Sequence, residues 1–159
     1  MASDTFLFID GIKGESVDDK HKDKIEIESW SFGLQNSGTH HTTGGGGAGK
    51  VSMQDLTFTC LAGLQTTILF HACATGKHIP KAQLICRKAG GNQEEFMFVD
   101  MFDVLVSSHS VSGGSTGQPM DTFSLNFAKI EYDYKKQDAK GGVGGTNKKG
   151  WDFKKHTAS

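Results

Sequence analysis

The sequence predicts a mainly β fold, either an antiparallel β-barrel or two packed sheets, with one amphipathic α-helix at about residues 60–75. Two observations favour it. Apolar and polar residues alternate along most apolar segments, as in strands, whereas helical spacing is convincing in one segment only. The chain has 159 residues and is 36% hydrophobic, which is enough for one core. We therefore expect a single domain spanning residues 1–159.

The N-terminal segments predict strands separated by a polar loop. Residues 6–10 are apolar on both faces and end at an Asp-Gly turn, and residues 15–24 form a charged loop. In residues 25–34 the alternation changes phase. Ile25 and Ile27 share one parity, and Trp30, Phe32 and Leu34 share the other. A strand that changes its buried face has crossed a bulge or passed from one packing partner to another.

A glycine-rich loop at residues 38–49 follows and has no periodicity. Its four consecutive glycines carry a large ordering entropy that no side chain offsets, so we expect the loop to be flexible. Beyond it, residues 51–59 alternate again, with another change of parity between Met53 and Leu56.

One segment has the apolar stripe of a helix. The residues of the stripe, at three- and four-residue spacing, are Leu61, Leu64, Ile68, Leu69, Ala72 and Cys73. Thr59 is the predicted N-cap, and Gly76 is the predicted left-handed C-cap. Lys77 and His78 suit the negative end of the helix dipole, and Pro80 lies shortly beyond.

The C-terminal half predicts more strands. Residues 81–88 and 94–107 are expected to form a hairpin, and residues 110–119 a loop. Residues 121–134 repeat the change of phase, so two long strands switch faces. Residues 135–150 are interpreted as a Gly/Lys linker, after which Trp151 and Phe153 form an aromatic anchor that packs on the core or on a neighbour.

Composition excludes several classes of function. The chain has 17 Lys and Arg against 18 Asp and Glu, so it lacks the basic excess that binds nucleic acid or anionic lipid. No apolar stretch approaches the ~20 residues of a membrane helix, and the N-terminus has no basic region typical of a signal peptide. We expect a soluble protein whose three cysteines, Cys60, Cys73 and Cys86, are reduced in the cytosol.

Motifs that suggest catalysis or ligation lack their structural context. Residues 44–51 nearly match a phosphate-binding loop, but Val51 replaces the magnesium-binding hydroxyl and a strand pattern follows. Ser115 satisfies the spacing G-x-S-x-G, yet no helix pattern follows it. His40 and His41 are adjacent, and Asp18, Asp19, His21 and Asp23 match no ligand spacing. We therefore expect no catalytic residue, no cofactor and no metal.

These patterns predict that the chain associates with further copies of itself. Strands that are apolar on both parities need cover on both faces, and one helix in a chain of this length supplies little of it. Identical copies would cover one another.

Several segments resemble the haemolysin-coregulated protein family, Hcp, over nearly the whole chain and in order. The segments are residues 10–16, 29–33, 44–59, 76–91, 103–114, 125–134 and 150–151. His109 and Phe96 depart from the tyrosine-like residues expected there, as do His40 and His41 from the usual loop. The near phosphate-binding loop then becomes a family loop that binds no nucleotide.

The resemblance implies a structural subunit of the type VI secretion system. Family members form a six-membered ring around a channel, and the rings stack into an inner tube that sheath contraction drives out of the cell with a spike at its tip. The implied partners are further copies of the chain, the sheath, the spike and small effector proteins carried in the channel. The implied location is the bacterial cytoplasm during assembly, followed by secretion without a cleaved signal peptide.

Site residues follow from combining the resemblance with the patterns. Ser29, Ser31 and Gly33 share one parity of a face-switching strand, and a channel wall suits such small side chains, with Ser31 the best candidate. The ring-stacking loop would contain Gly44, Gly45, Gly46, Gly47 and Gly49, because glycine-rich backbone can lie flat against a neighbour and order there.

Two alternative functions stay open at this point. One is a secreted serine hydrolase that uses Ser115, which would need a helix after that serine. The other is a monomeric β-barrel that binds a ligand in an internal cavity.

Overall fold

The computed structural model describes residues 3–37, 50–137 and 143–159, which form eleven strands and one helix. The strands before the helix are β1 (Ser3–Ile9), β2 (Ile25–Glu26), β3 (Ser29–Ser31), β4 (Leu34–Asn36), β5 (Val51–Met53) and β6 (Leu56–Leu61). The helix α1 (Gln65–Thr75) follows. The strands after it are β7 (His78–Lys88), β8 (Glu95–Ser112), β9 (Met120–Gln137), β10 (Val143–Asp152) and β11 (Thr157–Ala158). The mainly β prediction with one helix is confirmed.

Antiparallel pairing arranges β1, β2, β3 and β6 to β9 in a barrel, from which β10 and β11 extend, whereas β4 and β5 form a separate two-stranded sheet. β1 pairs with β7, β7 with β8, β8 with β9, and β9 with β6. Residues 25–31 complete the circuit, because β2 pairs with β1 while β3 pairs with β6. The phase change predicted in residues 25–34 therefore marks the passage from one partner strand to another.

A shared bend lets the long strands serve two sheets. Met101 and Val104 of β8 are both buried, as are Phe127 and Ile130 of β9, so each strand changes its buried face between them. Asp103 lies at the bend of β8 with a φ of 55°. The first half of β8 pairs with β7 and the second half of β9, whereas its second half pairs with the first half of β9. The change of phase predicted for residues 121–134 is confirmed.

The helix begins five residues later than its predicted start. Thr59 and Leu61 belong to β6, and Leu64 precedes the first helical turn, so Thr59 is not the N-cap. The side that packs on the core consists of Gln65, Leu69 and Ala72. Leu64 and Ile68 are exposed, so the predicted buried stripe is wrong at these positions. Gly76 adopts the left-handed conformation with a φ of 65°, as predicted.

The C-terminal segment pairs with the barrel instead of forming a linker. Residues 135–137 end β9, residues 143–150 lie in β10, and β10 pairs with β9 from Val143 to Asp152. The linker prediction is wrong for these positions, because backbone pairing orders even a Gly/Lys-rich strand. Residues 138–142 lie outside the described residues. Phe153 packs against the core, with its ring centroid 6.2 Å from that of Phe127, in agreement with the predicted anchor.

The barrel interior is filled by side chains. The bulkiest fully buried residues include Phe58, Phe123, Leu7, Ile9 and Leu84. Cys60 and Cys86 are buried and Cys73 is half-buried, and all three are free thiols as predicted. Within the described residues, no helix is long and apolar enough to cross a membrane.

Candidate channel-lining face

Two rows of hydroxyl side chains cross the outer face of β3, β6, β9 and β8. The first row, in register across the strands, is Ser31, Thr57, Ser124 and Ser108. The second row is Ser29, Thr59, Thr122 and Ser110. Ser124 is buried, Thr57 and Thr59 are half-buried, and the others are exposed. We call these eight residues the hydroxyl face.

The opposite side of the same strands faces the core. Trp30, Phe58, Phe123 and His109 stand in register between the two hydroxyl rows. Phe58 and Phe123 are fully buried and stack with ring centroids 5.2 Å apart. Because successive side chains in a strand point to opposite faces, burial of these rings directs their Ser and Thr neighbours outward. The hydroxyl face is thus a consequence of core packing.

One end of the hydroxyl face is a hydrogen-bonded polar cluster. The Asp55 carboxylate accepts hydrogen bonds from the Ser107 hydroxyl at 2.5 Å and from Asn126 Nδ2 at 2.8 Å. Ser107 occupies the irregular position of β8 between Val106 and Ser108. The hydroxyl of Ser124 lies 2.7 Å from that of Ser107, so the cluster continues into the first row. Irregularities of this kind re-aim a side chain locally.

The other end of the face is apolar and leads to the helix. Leu61 pairs with Met120, which pairs with Ser112, and Leu61 is 43% exposed. Three residues beyond Leu61, Leu64 precedes α1. The face therefore changes from polar to apolar along the barrel.

A buried carboxylate joins α1 to the strands behind the hydroxyl face. Asp121 is fully buried and accepts hydrogen bonds from Thr66 Oγ1 at 2.7 Å and Gln65 Nε2 at 3.2 Å. His109 Nε2 lies 3.1 Å from the other carboxylate oxygen. The Thr66 hydroxyl also accepts from the Gly63 backbone N–H. These bonds satisfy a carboxylate that would be costly to bury alone.

Both lateral edges of the four-stranded face are open within the described part of the chain. β3 pairs with β6 alone, on one side. The pairing of β7 with β8 ends at Leu105, so residues 106–112 of β8 pair with β9 only. Open edges expose backbone groups that another strand can pair.

The predicted site residues fall in different places. Ser29 and Ser31 are exposed and lie together on the hydroxyl face. Gly33 lies beyond β3, where its carbonyl accepts from the Gln54 N–H, and it belongs to neither row. Gly44, Gly45, Gly46, Gly47 and Gly49 lie outside the described residues, as do His40 and His41.

Six members of the hydroxyl face were not predicted from the sequence. They are Thr57, Thr59, Ser108, Ser110, Thr122 and Ser124. A signal was present, because each hydroxyl pair brackets a single core residue, as Thr57 and Thr59 bracket Phe58. The register that aligns the pairs joins residues far apart in the chain, and no local pattern encodes it.

The residues considered as metal ligands in the loop after β1 make contacts that stabilise the fold. Asp18 accepts two hydrogen bonds from Arg87, at 2.6 and 3.0 Å, and this contact lowers the pKa of Asp18 to about 2. His21 stacks on Phe6 with a centroid distance of 4.6 Å, and burial lowers its pKa. Within the described residues, no group of three or more His, Cys, Asp or Glu could hold a metal ion.

Ser115 and the two buried cysteines, Cys60 and Cys86, have surroundings typical of unreactive groups. Ser115 lies in the exposed connection between β8 and β9, and a strand follows it, so the strand-to-helix turn of a nucleophile elbow is not formed. Burial raises the pKa of Cys60 to about 12 and raises that of Cys86. Thiols of this kind are protonated and inert at neutral pH.

Comparisons with known proteins agree on one family. A family model described as type VI secretion system effector, Hcp, matches residues 6–134. The protein hcp1 of Pseudomonas aeruginosa is 46% identical over 160 residues, which cover 98% of each chain. The crystal structure of Hcp1 from Salmonella typhimurium matches with a TM-score of 0.81 and 37% identity, over 100% of both chains.

A second solved structure, described as a type six secretion system protein, is more similar in fold. Its TM-score is 0.94 at 30% identity, and the match covers 99% of this chain and 100% of that one. Sequence and fold agree over nearly the full length of these relatives. The chain therefore belongs to the Hcp family of type VI secretion system proteins.

Proposed function

We propose that the chain is a structural subunit of the type VI inner tube, which forms six-membered rings around a channel and is exported by sheath contraction. The rings stack, and the channel carries small effector proteins. The proposal rests on family membership for the machine and on the hydroxyl face for the channel wall.

The single observation that carries the channel is the uncharged pair of hydroxyl rows. The wall of a channel for protein cargo must be wetted by water and must not bind the cargo too tightly. Small hydroxyls hydrogen-bond to water and to polar surfaces, whereas large apolar residues would trap cargo. The hydroxyl face offers such a surface on four adjacent strands.

The open edges supply a way to close a ring. β3 and residues 106–112 of β8 lie at opposite sides of the hydroxyl face. Head-to-tail contact between such different surfaces generates a ring when the rotation closes. Repetition would line the centre with successive hydroxyl faces.

The alternative functions receive less support. A serine hydrolase needs a helix after Ser115, and β9 begins there instead. A ligand-binding barrel needs an internal cavity, whereas Phe58, Phe123 and their neighbours fill this interior.

Native mass spectrometry and negative-stain microscopy of the purified chain test the proposal. We expect a hexameric mass and rings with a central opening. The variant Ser31→Arg should keep the rings, because the side chain is exposed, and should weaken retention of a channel-bound effector by about tenfold or more. Ser115→Arg is the matched control. A chain that stays monomeric at every concentration would refute the proposal.

A further inference from the structure

The region around α1 has an unusual composition for a helix on a protein surface. Residues 56–76 contain no Asp, Glu, Lys or Arg, and Asp55 and Lys77 bracket this run. A helix that faces the core on one side normally carries charged residues on the opposite side. A helix without that contrast is typical of an element covered all round.

The residues that the structure describes cover only one side of α1. Gln65, Leu69 and Ala72 are buried, whereas Phe70 is 64% exposed, Leu64 is 61% exposed and Ile68 is 37% exposed. Ile68 and Phe70 are two positions apart in the sequence, so they lie on different flanks of the helix. Apolar residues are therefore exposed on both flanks, beyond what a single scattered residue would explain.

The exposed helix adjoins the second half of β8. α1 packs against β8, and the Asp121 cluster ties its first turn to His109 of that strand. Beyond Leu105 this part of β8 has an open edge, and its Val111 is 50% exposed. Because α1 packs against β8, its exposed apolar side chains adjoin a strand whose edge is available for pairing with another strand.

We propose that the exposed surface of α1, centred on Phe70, is the hydrophobic anchor of the contact with a second copy of this chain. The inference deepens the proposed function and depends on it. The occupant is a second copy because the proposed function requires identical subunits to meet at the open edge of β8, and α1 packs against that same strand. Buried aromatic anchors commonly dominate the binding energy of such interfaces.

The proposal separates two roles within the assembly. Pairing of open edges sets the direction and register of neighbouring subunits, since it is fixed by backbone geometry. The helix supplies the apolar area, which the polar hydroxyl face and the short β3 edge do not. Assembly should therefore be much more sensitive to Phe70 than to exposed residues of other elements.

Sedimentation equilibrium of the full chain over a concentration series tests this inference. The test variant is Phe70→Asp, which places a charge on the proposed anchor. The matched control is Val17→Asp, because Val17 is 92% exposed and lies in the loop after β1. We expect Phe70→Asp to raise the concentration of half-assembly by at least about tenfold and the control to change it by less than about twofold.

Circular dichroism of the dissociated subunit accompanies the measurement, since an exposed residue should not affect the fold. The milder Phe70→Ser should shift assembly in the same direction, and it serves if the charged variant misfolds. Folded variants that assemble at wild-type concentrations would overturn the inference and leave the ring proposal standing. A wild-type chain that never assembles would overturn both.

Discussion

Thr66 of α1 donates a hydrogen bond of 2.7 Å to the fully buried carboxylate of Asp121 in β9. The bond connects the start of the helix to a strand whose outer side carries part of the hydroxyl face. The same carboxylate accepts from Gln65, which explains why a glutamine occupies a buried position on this helix. Asp121 thus links the position of α1 to the stability of the hydroxyl face.

Asp121→Asn should destabilise the fold at neutral pH. The substitution keeps the shape but removes the charge and replaces one acceptor oxygen with an NH2 group, which must face either the Thr66 and Gln65 donors or His109 Nε2. Leaving buried polar groups unsatisfied costs about 1–3 kcal/mol in the free energy of unfolding. Asp103→Asn is the control, because Asp103 is exposed and Asn tolerates its positive φ, and its effect should stay within about 0.5 kcal/mol. Urea unfolding measures both, and equal losses would argue against the anchor role of Asp121.

Gly76→Ala should also destabilise, through the backbone alone. Gly76 ends α1 with a φ of 65°, and an added Cβ would meet no atom within 4 Å. The left-handed conformation costs an L-residue about 1–2 kcal/mol, which we expect as the loss in thermal or urea unfolding. Gly113→Ala is the control, since its added Cβ would make ordinary contacts with Pro119. A neutral Gly76→Ala would contradict the assigned cap.

Lowering the pH should reduce the free energy of unfolding in two separate pH ranges. The pKa of His21 in the folded chain lies below its usual 6.5. As the pH drops, the unfolded chain therefore takes up a proton at His21 before the folded chain does, and the free energy of unfolding decreases below pH 6.5. Arg87 lowers the pKa of Asp18 from 3.8 to about 2, so the stability that this carboxylate contributes above 3.8 is lost as pH falls towards 2.

The variant Asp18→Asn isolates the lower pH range. It should be less stable than wild type at pH 7, and the difference between their urea midpoints should shrink as pH falls below 3.8. Asp19→Asn changes an exposed neighbour and should follow the wild-type curve. A constant difference across all pH values would show that the Asp18–Arg87 contact does not contribute through charge.

The glycine-rich loop supports a prediction about tube growth. β4 and β5 pair with each other and flank residues 38–49. Deletion of residues 45–47 should leave single rings intact but shorten or abolish tubes, if the loop contacts the adjacent ring. Deletion of residues 114–116, in another exposed connection, is the control. Unchanged tube lengths in electron micrographs would show that the loop has been misassigned.

Local patterns in the sequence identified most strands and the changes of face. The switch in residues 25–34 was visible because Ile27, a core residue, and Trp30, which packs against the core, are three positions apart. The start of α1 was not visible, since Leu61 has helical spacing to Leu64 and breaks the apolar–polar alternation of the preceding residues of β6. Pairing with Met120, 59 positions away, decides in favour of the strand.

The candidate site was only partly predictable for a similar reason. Ser29 and Ser31 could be identified because they alternate with Trp30 in one short segment. Thr57, Thr122 and Ser110 join them only through the register of three strand pairs. Gly33 shares their parity but lies after β3, which ends at Ser31, so it stands outside the two rows of the hydroxyl face. The buried Gln65 likewise depends on Asp121, which is distant in sequence.

Size-dependent thiol labelling tests most directly whether the hydroxyl face lines a channel. Ser31→Cys and Ser115→Cys would be made in a Cys73→Ala background and treated as assembled rings with small and polymer-linked maleimides. We predict that both cysteines react with the small reagent, while the large one labels position 115 at least about tenfold faster than position 31, because it cannot enter the channel. Equal labelling of the two positions by the large reagent would place Ser31 on the outside of the ring and contradict the account.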